Sequence, residues 1–173
     1  MKFYSGFSLL NENNLFETLI KKSEYTVSGF SYGAVKAFKN VQQELKNSNR
    51  VDTLQLFSPA FFQTKSDKFK RLQTFSYTKH KEKYLSQFIE GCFYPYKYKD
   101  IQRSQTSLEE LEELLYYEWN LDELKHLEEK GVKIEVYLGG KDKIIDVIAA
   151  QELFLEVATV TYIKGANHFL QLE

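Results

Sequence analysis

A single cysteine, Cys92, leaves the 173-residue sequence without an internal disulfide partner and without the thiols of a Cys-rich zinc site. Histidine is scarce too. There are three, no two close together, so a His/Cys metal centre has little support. Proline occurs only at 59 and 95, and there is no Gly/Pro-rich linker, low-complexity tract or internal repeat. No run approaches the ~18 apolar residues of a membrane helix. The opening MKFYSGFSLLNENN lacks the continuous apolar stretch of a signal peptide. A net charge of −1 argues against general nucleic-acid binding. These absences leave a cytoplasmic protein as the expectation, with no metal or other cofactor and with neither membrane nor nucleic acid as partner.

What is present suits one domain, for which ~100–200 residues is usual. The 43% apolar and 16% aromatic content can build a core. The near-zero net charge hides an asymmetry. Residues 61–103 carry ten Lys/Arg against four acids, and residues 107–130 carry nine acids against Lys125 and Lys130. Either these adjacent segments pair with each other, or the basic one receives an acidic partner.

Five short apolar runs have the pattern of buried parallel strands: Lys2–Ser5, Tyr25–Gly29, Thr53–Ser58, Val132–Leu138 and Thr159–Ile163. Helical stripes separate most of them: Leu15, Phe16, Leu19 and Ile20; then Val35, Phe38, Val41 and Leu45; then Ile144, Val147, Ile148 and Leu155. This alternation predicts a parallel sheet with helices on both faces. Between 60 and 130 the rhythm breaks, and no convincing strand is visible. Ser107 with Glu110 forms a capping-box pattern opening the helix SLEELEELLYYEW. Asp122 is positioned to cap a second helix ending at Gly131. The expected organisation is an α/β core of residues 1–60 and 131–173, with 61–130 as a helical lid insertion between the third and fourth strands.

The strongest local signal is Gly29-Phe30-Ser31-Tyr32-Gly33, a G-x-S-x-G turn between a predicted strand and a predicted helix. Such a turn strains the serine backbone and lifts its hydroxyl above the carboxyl edge of the sheet. A serine needs a base oriented by an acid. His80 lies among lysines and His126 in a polar helix, so both read as surface residues. His168 follows the last strand, at the same edge as Ser31. Asp142, directly after the fourth strand, is the acid candidate, with Asp146 as the alternative. The order Ser31, Asp142, His168 is that of α/β-hydrolases. The oxyanion donors would be the N–H groups of Tyr32, at the helix start, and Phe7, after the first strand.

These residues resemble α/β-hydrolases that cleave esters. Ser5-Gly6-Phe7 is similar to a His-Gly-aromatic oxyanion loop with serine replacing the histidine. Gly139-Gly140-Lys141-Asp142 and Gly165-Ala166-Asn167-His168-Phe169 resemble the acid and histidine loops. Stretches outside these motifs resemble more narrowly the BioV-type pimeloyl-(acyl-carrier protein) methyl ester esterases of biotin synthesis. They include Leu56-Phe57-Ser58-Pro59, Phe69-Lys70-Arg71-Leu72-Gln73 and Glu129-Lys130-Gly131-Val132. The resemblance implies a truncated α/β-hydrolase fold with a mostly parallel five-stranded sheet. It lacks the strands that usually precede the oxyanion strand, and its closing helix is absent or a stub. A second copy could cover the exposed sheet edges. It further implies an acyl-carrier protein bearing the pimeloyl methyl ester as partner. Lys68, Lys70, Arg71, Lys79, Lys81 and Lys83 would dock the carrier, and Phe61, Phe62, Phe69 and Phe75 would line the acyl channel or else belong to the core. Two readings stand beside it: a small carboxylesterase or thioesterase acting on free esters, and a non-catalytic binding module of the same fold.

Overall fold

A computed structural model describes residues 1–173. The chain forms β1 (Lys2–Tyr4), β2 (Leu9–Leu10), a 3-10 turn (Glu12–Phe16), β3 (Thr26–Phe30), α1 (Tyr32–Lys46) and β4 (Thr53–Phe57). It continues through α2 (Asp67–Lys79), α3 (Lys81–Phe93), β5 (Gln102–Arg103), α4 (Leu108–Tyr116) and α5 (Leu121–Glu129). It ends with β6 (Lys133–Gly139), α6 (Val147–Phe154) and β7 (Thr159–Ile163). The sheet order is β1-β3-β4-β6-β7 and every neighbouring pair is parallel. The predicted strands match to within one residue at either end. Runs such as Leu54 to Phe57, buried on both faces, have few alternatives to an interior strand.

The two faces are unequal. Leu54, Leu56, Ile134, Val136 and Leu138 meet Val35, Phe38 and Val41 of α1 in the larger core cluster. The opposite face carries a smaller aromatic cluster, in which Phe16 stacks on Phe57 at 4.9 Å between ring centroids. Burying such a side chain contributes about 1.5–3 kcal/mol. Helices on both faces were expected, but this second face has only the 3-10 turn, the end of α3 and the His168 loop over it. The stripe Leu15, Phe16, Leu19, Ile20 therefore forms no α-helix. The Gln55 side chain accepts the Lys21 N–H at 2.9 Å and donates to the Leu19 carbonyl at 3.0 Å, removing the groups a helix would need there.

Between β4 and β6 lie α2 to α5, together with one short strand the sequence pattern did not reveal. In it, Gln102 and Arg103 pair antiparallel with Leu10 and Leu9. Two residues carry no periodicity, so only the partner strand makes β5 visible. The capping box at Ser107 forms, but α4 stops at Tyr116. The cap of α5 is Asn120, whose Oδ1 accepts the N–H groups of Asp122 and Glu123 at 2.9 and 3.1 Å. Asp122 sits in the first turn instead, where its charge suits the helix dipole. The basic and acidic segments form no ion pair with each other. Glu110 and Glu113 bond Lys36 and Lys39 of α1, while Arg103 meets Glu82 within its own segment.

Candidate active site

Ser31 occupies the turn from β3 into α1 with φ 53° and ψ −116°, a backbone region that costs a non-glycine residue about 1–3 kcal/mol. Three backbone bonds hold it there. Its N–H donates to the Phe57 carbonyl at 2.9 Å, and its own carbonyl accepts from Ala34 and Ala60 at 3.0 Å each. The flanking glycines are sterically required. A Cβ at Gly29 would sit 2.1 Å from the Gly33 carbonyl oxygen, and one at Gly33 would sit 2.0 Å from that of Tyr4. Close contact of α1 with β1 and β3 is what lets the serine stand at the sheet edge.

The other two side chains arrive from the ends of β6 and β7. His168 Nε2 lies 3.0 Å from Ser31 Oγ, and His168 Nδ1 lies 2.6 Å from Asp142 Oδ2. All three residues are buried. Asp142 is fixed by its other oxygen, which accepts the N–H groups of Ile144 at 2.7 Å and Ile145 at 3.3 Å. Asp146, the alternative acid, instead caps α6 through Ala149 and accepts the Thr64 hydroxyl. The histidine loop is anchored next door: Asn167 donates to the Phe93 carbonyl at 2.9 Å and accepts the Gln171 N–H at 3.0 Å. His80 and His126 are exposed. A serine, an imidazole and a carboxylate in this chain can move a proton from hydroxyl to ring while the carboxylate stabilises the cation.

Tyr32 follows Ser31 in the chain, and Phe7 follows β1, the strand that pairs with β3. Tyr32 is the first residue of α1, where N–H groups lack intrahelical acceptors. The Phe7 N–H is bonded to no group of the protein. The Tyr32 phenol donates to Glu113 of α4, which also takes Lys39, while Lys36 bonds Glu110 at 3.1 Å. Burial, then Glu113, pushes the Tyr32 phenol well above its ordinary range. Lys39 and then the Tyr32 hydroxyl hold Glu113 below the ordinary 4.5. A carboxyl depressed by folding adds stability above its unfolded value and loses it as pH falls through the lowered one. Glu113→Gln is therefore expected to flatten the fall in melting temperature between about pH 5 and 3, read by thermal unfolding across that range.

A cavity of about 380 Å³ opens beside Phe7, within the usual ~300–1,000 Å³ of ligand sites. Phe62 and Phe69 line it, with Phe88 from α3, Leu111, Leu114 and Leu115 from α4, and Lys143 and Ile144 beyond Asp142. Phe61 does not line it but packs edge-on against Phe154, and Phe75 is 60% exposed. The α4 leucines read in sequence as an ordinary amphipathic stripe, so their lining role had no separate signal. Of the predicted docking cations, Lys70 is buried, its ammonium 4.9 Å above the Tyr116 ring, because that position of α2 faces α4. Lys81 is exposed and donates to the Thr106 carbonyl at 2.7 Å. Lys68, Arg71, Lys79 and Lys83 are exposed and make no ion pair.

The sheet order, the elbow and the chain order of the three residues define the α/β-hydrolase fold, and solved structures agree. An esterase from Exiguobacterium antarcticum aligns at TM-score 0.62 and 17% identity over 90% of this chain and 63% of its own. The carboxylesterase CesB from Bacillus subtilis aligns at 0.57 and 16%, over 93% and 59%. BioG from Haemophilus influenzae aligns at 0.55 and 10%, over 97% and 87%. The chain thus spans less than two thirds of the two esterases' length, and at these identities the likeness speaks to fold. No protein-family model matches the sequence, and no curated protein matches it either. No helix is long and apolar enough to cross a membrane.

Proposed function

We propose that this chain is a serine carboxylesterase that hydrolyses the methyl ester of pimeloyl-(acyl-carrier protein). The observation that carries the reading is the bonded series Ser31–His168–Asp142 at 3.0 and 2.6 Å, seated on a strained elbow. Ser31 Oγ bonds to the ester carbonyl carbon as its proton passes to His168 Nε2. The carbonyl oxygen becomes an oxyanion between the N–H groups of Phe7 and Tyr32. One such donor is worth roughly 3–4 kcal/mol in the transition state. The carbon–methoxy bond then breaks, His168 returns the proton, and methanol leaves. Water repeats the sequence on the acyl-enzyme: His168 takes a water proton, a new tetrahedral centre forms, and collapse releases the carboxylate and reprotonates Ser31. Asp142 orients the imidazole throughout.

Two features support the carrier-bound substrate beyond the sequence resemblance. The cavity beside Phe7 is mostly apolar, as an acyl chain requires, with Gln73, Ser76, Gln87 and Lys143 as its polar lining. One exposed stripe of α2 runs Lys68, Arg71, Leu72, Phe75, Lys79, with basic ends around an apolar centre, and Leu72 also lines the cavity. The segment 61–130 acts as the lid over the cavity and as the dock for an acidic carrier.

The test compares free and carrier-bound pimeloyl methyl esters at two salt concentrations. Turnover should favour the carrier-bound ester. Raising ionic strength from ~0.05 to ~0.5 M should raise its apparent KM about tenfold while changing the free ester's less than about twofold. Equal salt responses would remove the docking claim. Equal rates on both esters would leave a general carboxylesterase.

A further inference from the structure

We propose that Glu12 is a positioning residue for the oxyanion loop: its buried carboxylate holds the Gly6 N–H so that the next amide, that of Phe7, stays turned toward the ester carbonyl at Ser31. The inference rests on the esterase reading and deepens it.

Glu12 is 1% exposed, and its Oε1 accepts the Gly6 N–H at 2.6 Å. Its Oε2 is buried with no hydrogen-bond partner. A buried carboxylate with one oxygen unpaired is an expensive choice where an apolar side chain would pack more cheaply, and the Gly6 it bonds lies against Phe30 and Leu9. Burial pushes the carboxyl above its ordinary range, against the opposing pull of the Gly6 N–H. The local backbone is bent to bring this group under the loop, since Ser8 and Asn11 both take left-handed conformations at φ 63°. Contacts with β5 and the residue after it hold that bend: Asn11 bonds Gln102 at 2.8 Å, and the Ser104 N–H donates to the Ser8 carbonyl at 3.2 Å. The Phe7 N–H shares its peptide plane with the Gly6 carbonyl, which accepts the Leu9 N–H at 3.2 Å, so Gly6 is held on both sides, by Glu12 at its N–H and by Leu9 at its carbonyl, and its φ and ψ cannot turn the Phe7 amide freely. Of the two, only the Phe7 N–H is left without a protein acceptor.

Glu12→Gln keeps an acceptor oxygen, whereas Glu12→Ala removes it. On a free methyl ester, Glu12→Ala should lower kcat about 10- to 100-fold with KM within about threefold, and Glu12→Gln should stay within about threefold of the parent in both. In amide NMR the Gly6 N–H resonance should lie downfield in the parent and Glu12→Gln, and move upfield in Glu12→Ala. Unchanged kcat in Glu12→Ala, a loss confined to KM, or equal damage from Gln and Ala would overturn the proposal. Should Glu12→Ala not fold, a Gly6 resonance in Glu12→Gln no different from an ordinary exposed amide would overturn it as well. A parent protein inert to methyl esters and to a fluorophosphonate would instead sink the esterase reading, and the positioning role with it. An active parent whose Gly6 amide ignores Glu12→Ala would sink only the positioning role.

Discussion

Ser31→Ala is expected to remove methyl-ester turnover by on the order of 10⁶-fold, the scale seen when a triad nucleophile is deleted. The hydroxyl is the only group whose oxygen stands 3.0 Å from His168 Nε2, so nothing nearby can take over the attack. Labelling by a fluorophosphonate should disappear with it. Under the proposed function, carrier binding is expected to persist as well, since the exposed cations of α2 and α3 lie outside the triad. Stability separates this change from a folding defect. Alanine keeps the strained φ of 53°, whereas glycine adopts it freely. That strain of about 1–3 kcal/mol outweighs the roughly 0.4–1 kcal/mol that glycine adds in unfolded-state entropy. Ser31→Gly should therefore be as inactive as Ser31→Ala but melt at a higher temperature. Near-normal turnover in either variant would end the mechanism. A lower melting temperature for glycine than for alanine would contradict the strained elbow.

Gly33→Ala is expected to destabilise the fold by more than about 4 kcal/mol, a size reserved for forced rearrangements. The new Cβ would stand 2.0 Å from the Tyr4 carbonyl oxygen and 2.6 Å from that of Ser5. Both are backbone atoms, so no rotamer change relieves the collision. Either α1 or β1 must move, and each carries part of the site: Tyr32 opens α1, and the strand leads into Phe7. Gly91→Ala is the control. Its Cβ would meet only the end of the Ile144 side chain at 3.2 Å, and alanine is the better residue inside α3 by about 1 kcal/mol. Urea unfolding of the three proteins decides the matter. A Gly33→Ala protein as stable as its parent would mean that α1 and β1 do not pack so closely.

The elbow, the three triad positions and all five sheet strands were legible because each leaves a local trace. Strands buried on both faces are apolar runs, and a turn this tight requires glycines at set offsets. Asp142 was readable by its place after β6, and the competing Asp146 could be dismissed only on seeing it bonded to Ala149 and Thr64. The proposed docking cations came from the resemblance and from their charge, and neither says which way a helix is turned, so Lys70 was counted with its exposed neighbours. Glu12 left no trace at all. In sequence it is one acid among asparagines, and its buried bond to Gly6 comes from left-handed bends at Ser8 and Asn11 that no periodicity encodes.

The amino-acid order by itself determined the parallel sheet, the strained serine turn and the sequence of nucleophile, acid and base, since these depend on spacing within a few residues. The tertiary structure alone decided which carboxylate meets His168, which aromatics wall the cavity, and that Glu110 and Glu113 bind α1 and not the basic segment. Each of these is a choice among chemically equal side chains, and it is made by packing between elements tens of residues apart, where only the folded backbone sets the distances.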